Sequence, residues 1–233
     1  LFNAAYCWVG HWRGGLASAT IAGCAGFAAL SGSSIASAIT RGRVALPEMK
    51  RFKYDNGLAT GAVAAGGTLG ILIPPSTGLI IYAILTEQSI GRLFMAGIIP
   101  GILLTFMFLL AIAIVTRLKP EIGPAGPISS FKEKIRSLRK ALTMVAIVVA
   151  TIGGIYMGIF TPVEAAGVGA VLAFLVALSR KSLDRDKMTF VILQTLQTPA
   201  TVFMILIGAH VFLPFMALTH IPADLVTFFV YLD

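Results

Sequence analysis

The chain has 233 residues, 57% hydrophobic and 12% charged, with a formal net charge of +8 and a mean hydropathy of +0.90. Those values exclude a water-soluble domain, because residues 98–116 and 142–160 carry no charge over a bilayer-spanning length. Nucleic acid is excluded as the partner of the positive charge, since the basic residues sit in clusters between apolar runs, not in a stripe interleaved with aromatics.

Of the 18 Lys and Arg, five lie in residues 41–53, seven in 117–140 and four in 180–187, leaving only Arg13 and Arg92 elsewhere. This bias places the three clusters on the cytoplasmic face of a membrane. Cys7 and Cys24 are too few for a disulfide framework and read as thiols packed like small hydrophobes. The chain opens on Leu1 without a signal segment and is expected to be an internal piece of a longer membrane protein.

In chain order, residues 14–30 make about 25 Å of helix at ~1.5 Å per residue, nearly a span. Ser31, Gly32, Ser33 and Ser34 then interrupt it. A crossing by residues 14–40 would put Arg13 and Arg41 on opposite faces, whereas a re-entrant hairpin keeps both in the cytoplasm. Its polar tip then lies at membrane depth, where irregular backbone persists only if protein or a water-filled cavity covers it.

Residues 58–86 form the next apolar segment, broken by Pro74 and Pro75, which have no backbone N–H to give. The helix is predicted to unwind over residues 70–77, with the hydroxyls of Thr68, Ser76 and Thr77 close by. Freed carbonyls and hydroxyls suit a hard cation, and a half-helix N-terminus suits an anionic substrate. Residues 87–92 turn the chain in the periplasm, and 93–116 return it. After a Pro/Gly stretch, Ser130 and Glu133 are spaced as a capping box for an amphipathic helix on the inner membrane surface, or for a solvated connector. Residues 141–160 cross outward, Thr161 and Pro162 turn in the periplasm, 164–179 cross back, and 197–218 form the next span.

The segments "GHWRGGLASATIAGCAGFAALSGSSIASA", "PEMKRFKYD", "GTLGILIPPS", "TEQSIGRLFMAGIIPGIL" and "GIFTPVEAAGVGA" resemble, in the same order, the large membrane subunit of tripartite ATP-independent periplasmic (TRAP) transporters. The resemblance implies an all-α integral membrane protein with an elevator-type fold of two inverted repeats. Residues 1–117 would be the transport region of the first repeat, 118–140 a cytoplasmic arm, and 141–233 the start of an incomplete second repeat. It further implies sodium coupling at the hairpin tip and the Pro-Pro break. Ser31, Ser33, Ser34, Gly70, Ile73, Pro74 and Ser76 are thus the candidate sodium ligands. Gly32, Thr68, Pro75 and Thr77 are the residues next to the substrate.

The implied substrate is a small organic carboxylate, a C4-dicarboxylate or a sialic-acid-like sugar acid. The implied partners are a periplasmic substrate-binding protein, a four-helix membrane subunit and the lipid of the bacterial inner membrane, with no cofactor beyond sodium as coupling ion. Thr77 and Gly78 stand where the family pattern suggests a larger apolar residue or proline, which leaves the substrate open.

Few ionisable groups fall inside the apolar spans. Glu164 reads as a first-turn helix acid and His210 as a packed histidine that still merits a functional flag. Proton coupling on the same fold is the alternative. An intramembrane serine hydrolase, with Ser33 or Ser34 as nucleophile and His210 as base, is a more distant one. A passive channel subunit has no evident use for two helix breaks. Metal-ligand spacings of Cys and His and Walker-type glycine loops are absent, so the energy source is an ion gradient, not ATP.

Overall fold

The computed structural model describes residues 2–126, 130–180 and 183–230, all in helices and short connections. It divides into two compact units, Leu1–Leu175 and Val176–Asp233. In the first unit α1 (Phe2–Val9) precedes α2 (Gly15–Ser31) and α3 (Ser34–Arg51). Then come α4 (Asn56–Leu72), α5 (Thr77–Leu85), α6 (Ile90–Leu118), α7 (Phe131–Tyr156) and most of α8 (Pro162–Ser179).

The starts of α3 to α8 each have a local cause. Side chains accept from a backbone N–H at the first turns of α3 (Ser33), α4 (Asp55), α5 (Ser76) and α6 (Ser89). Ser130 and Glu133 form the capping box that their spacing predicts. Thr161 and Glu164 form a second one, with Glu164 Oε2 accepting from the Thr161 amide at 2.8 Å, so Glu164 is a helix-starting acid.

Helices α2, α3 and α4 build the core. Leu16, Ile21, Met49 and Leu69 are fully buried there, and the seams are lined by Ala and Gly. A β-carbon on Gly66 would stand 2.8 Å from Cys24 Sγ, and one on Gly67 would stand 2.9 Å from Ala38 Cβ. In a membrane, where lipid is as apolar as leucine, close approach of small residues supplies the contact energy.

The α2–α3 pair returns on itself. At its tip Ser31 Oγ lies 3.2 Å from Ser37 Oγ. At its base the Leu16 amide donates to Tyr54 Oη at 3.2 Å, and Tyr54 Oη donates to the Pro124 carbonyl at 2.8 Å. Burial raises the Tyr54 phenol above its ordinary range, which keeps the proton it donates. Gly14 and Asp55 add amide bonds to the carbonyls of Gly123 and Ile122. Residues beside Arg13 and residues of or beside the first two basic clusters therefore meet at one end.

Two boundaries differ from the sequence pattern. Helix α3 does not stop near residue 40 but continues through Pro47 to Arg51, because Pro47 removes a single helix bond and nothing else in the segment breaks it. Helix α7 runs unbroken through residues 140 and 141, so the amphipathic segment and the span that follows are one helix, with no Gly or Pro at their junction.

Among the described residues, four helices have the length and apolar character of membrane spans: Ile90–Leu118, Lys132–Tyr156, Pro162–Ser179 and Arg185–Leu218. The pair Asn56–Leu72 and Thr77–Leu85, bent by 41°, makes a fifth if counted as one. The second unit holds the end of α8, then α9 (Arg185–Leu218), started by Asp184 and carrying Pro199 and Pro214, and α10 (Ile221–Val230).

Candidate ion and substrate site

The α2–α3 tip sits directly on the α4–α5 break. Gly32 closes α2 in the left-handed region, φ 60°, and its amide donates to the Ala28 carbonyl at 2.9 Å. Its own carbonyl accepts two bonds from across the junction, from the Thr77 amide at 3.0 Å and the Thr77 hydroxyl at 2.9 Å. A β-carbon on Gly32 would stand 2.7 Å from the Pro75 carbonyl oxygen, and one on Gly70 would stand 2.7 Å from the Ser33 carbonyl. Glycine is required at both places.

The break is narrower than residues 70–77. Helix α4 holds as far as Leu72, Ile73 still donates to the Leu69 carbonyl at 2.9 Å, and α5 begins at Thr77. Pro74 and Pro75, joined by a cis peptide, have no N–H for the carbonyls of Gly70 and Ile71, which a continuing helix would have paired. The fully buried Ser76 hydroxyl donates to the Ile71 carbonyl and accepts from the Leu79 amide. Pro74 leaves the Gly70 carbonyl without its i+4 donor. Helix α6 backs the break with Gly97 against the Leu72 carbonyl and Gly101 against Ile73. An apolar cavity of about 430 Å³, bounded by Ala25, Ile73, Pro74, Ile98 and Phe106, lies on that flank.

Of the sequence-predicted residues, Gly32, Ser33 and Ser34 meet Gly70, Pro75, Ser76 and Thr77. Ser31 lies one residue back, its hydroxyl shared with Ser37 and the Ser33 amide. Ile73 and Pro74 form the turn itself. Thr68 is exposed, and its hydroxyl donates to the Ala65 carbonyl of its own helix at 2.7 Å, so nothing joins it to the junction. His210 belongs to the second unit, where Nδ1 lies 2.9 Å from the Leu206 carbonyl one turn back.

The pattern reading passed over Ser37 and took Arg41 only as the start of a cytoplasmic cluster. Ser37 is fully buried and Arg41 is 8% exposed. Their four-residue spacing on a helix that is apolar on the same side was the available signal. The donors at the junction are neutral carbonyl and hydroxyl oxygens, a set that suits a hard cation.

The architecture is that of a multi-pass, all-helical membrane protein with two interrupted helices facing each other. The chain belongs to the DctM-component family of tripartite ATP-independent periplasmic transporters, whose family model matches residues 1–233. It is 48% identical over 178 residues to the C4-dicarboxylate TRAP transporter large permease protein DctM of Pseudomonas aeruginosa, covering 76% of this chain and 41% of that one. The Rhodobacter capsulatus protein of the same name is 36% identical over 97% of this chain and 54% of its own length. The sialic acid TRAP transporter large permease protein SiaM of Vibrio cholerae is 33% identical over 98% of this chain and 53% of its own length. The chain spans about half the length of the curated relatives it matches. This is a family of transporter components, not of enzymes, and the serine-hydrolase alternative is set aside with it.

Proposed function

We propose that the chain is part of the large membrane subunit of a sodium-coupled transporter that takes up a small organic carboxylate across the bacterial inner membrane. A periplasmic substrate-binding protein delivers the substrate, and a small membrane subunit completes the assembly. Residues 14–40 act as a re-entrant hairpin and 58–86 as a broken helix, both in the moving part of an elevator, with residues 118–140 as its arm. Residues 141–233 begin a second, inverted repeat.

The observation that carries this reading is the Gly32–Thr77 contact, which holds a serine-rich tip against a helix break. Pro74 leaves the Gly70 carbonyl without its helical donor, and a cation held between that carbonyl and the serine hydroxyls of the tip satisfies it. Ser31, Ser33, Ser34 and Ser76 contribute hydroxyl lone pairs beyond those used in capping, and Gly70, Ile73 and Pro74 contribute carbonyls. The sodium ion then organises an adjacent carboxylate site at Gly32, Pro75 and Thr77. Neutral oxygens, not carboxylates, dominate the junction, which favours sodium over protons. A C4-dicarboxylate is the first substrate to try, because relatives 48% and 43% identical to this chain carry that name.

The test is succinate uptake by the complete transporter, reconstituted with its binding protein, as a function of external sodium. Wild type should require sodium, and Ser31→Ala, Ser34→Ala and Ser76→Ala should each demand more of it. Sodium-indifferent uptake in wild type would move the reading to proton coupling.

A further inference from the structure

Arg41 is buried in the seam between α2 and α3, 8% exposed. Its guanidinium carbon lies 4.8 Å from the centre of the Phe27 ring, and Nε has no hydrogen-bond partner among the described residues. The titratable group it meets is the Cys24 thiol, and no acidic side chain pairs with it among the described residues. A guanidinium whose Nε is buried without a partner carries a cost that an aromatic face returns only in part. A guanidinium presents five donors in a planar fork that matches a carboxylate.

Its position relates it to the junction. Phe27 precedes Ser31 by four residues, about 6 Å along the helix axis. Ser37, fully buried, precedes Arg41 by one turn on the same face of α3 and meets Ser31 Oγ at 3.2 Å. Ser31, Ser37 and Arg41 thus form a polar line that descends from the tip into an otherwise apolar seam.

We propose that Arg41 binds a carboxylate of the transported substrate, reached through this line from the hairpin tip, and so selects a dianion. The inference rests on the carboxylate-transport reading above. One end of the substrate lies at the sodium-organised junction and the other at the Arg41 guanidinium, whose Phe27 neighbour stands five residues, about 7–8 Å of helix, from Gly32.

The experiment uses the full-length membrane complex. Radiolabelled succinate binding is measured at saturating sodium for wild type, Arg41→Lys and Arg41→Met, and each complex is melted without succinate. Uptake by wild type with its binding protein is run in parallel. We expect Arg41→Met to weaken succinate binding about tenfold or more, the range of a lost charge-assisted bond, and Arg41→Lys to weaken it less. The melting temperature of Arg41→Met should equal or exceed that of wild type, because an unpaired buried charge has been removed. A fall in melting temperature on Arg41→Met would assign Arg41 to a structural ion pair with the rest of the protein and overturn the proposal. Unchanged succinate affinity in Arg41→Met, with wild type transporting succinate, would overturn this inference alone. Absence of succinate uptake in wild type would overturn the transport reading and the inference together.

Discussion

Helices α2 and α9 are both apolar, yet they are held in opposite ways. Of the 17 residues of α2, nine are buried, six of them Gly, Ala or Cys, and its neighbours reach it through glycine. Within the 34-residue α9, the most apolar 18-residue stretch has none of its residues buried by the described chain. Its Phe203, Met204, Val211 and Phe212 all stand exposed. Hydropathy alone does not distinguish the two. Residue size does: α2 is built from side chains small enough to bring backbone against backbone, which two interrupted helices need if their freed polar groups are to be covered. Helix α9 carries large side chains that suit lipid.

Glycine substitutions break this comparison most sharply. Gly32→Ala places a side chain in the left-handed region, at about 1–2 kcal/mol, and drives it into the Pro75 carbonyl. It should lower the melting temperature of the complex most and abolish uptake. Gly70→Ala should follow, with an overpacking cost of about 1–3 kcal/mol against Ser33 and Ser34. Both are read by thermal unfolding and uptake in parallel.

The base of the hairpin tests the other end of the packed region. Tyr54→Phe removes the acceptor for the Leu16 amide and the donor to Pro124. At about 0.5–1.5 kcal/mol for each hydrogen bond, the loss should be about 1–3 kcal/mol. Amide hydrogen exchange should quicken at Leu16 while the junction at Gly32 and Thr77 stays protected. The smallest effect belongs to Gly208→Ala in α9, where an added β-carbon meets nothing within 4 Å. Stability should stay level or rise by up to about 1 kcal/mol, the helix-propensity gain.

Local chemistry wrote the junction into the sequence. Serines flanking Gly32 can cap and turn a helix, and two adjacent prolines must interrupt one, so the tip and the break were legible before their contact was. The capping box at Ser130 was legible for the same reason, and Glu164 as a first-turn acid, though its pairing with Thr161 was not read. What lay outside local reach was set by packing. Thr68 shares a helix with Gly70, but its hydroxyl bonds back to Ala65, and proximity in sequence gave no warning of that. Tyr54 ties residues 38 and 70 positions away, a relation without a local signature. Helix α3 outran its apparent end because Pro47 costs one bond while the buried Ala45 and Met49 continue the same packed face. Arg41 read as the first member of a cytoplasmic cluster, and only the fold shows its burial against Phe27.

The central claim is that the tip and the break share a sodium ion, and direct sodium binding to the purified full-length complex tests it. Thermal unfolding is followed while sodium replaces choline at constant ionic strength, without substrate. Wild type should gain melting temperature with sodium and saturate, as expected for a ligand that binds only the folded state. Ser31→Ala should need a higher sodium concentration for the same gain. A wild type indifferent to sodium, or a Ser31→Ala curve that overlays it, would contradict the assignment of the ion to this junction.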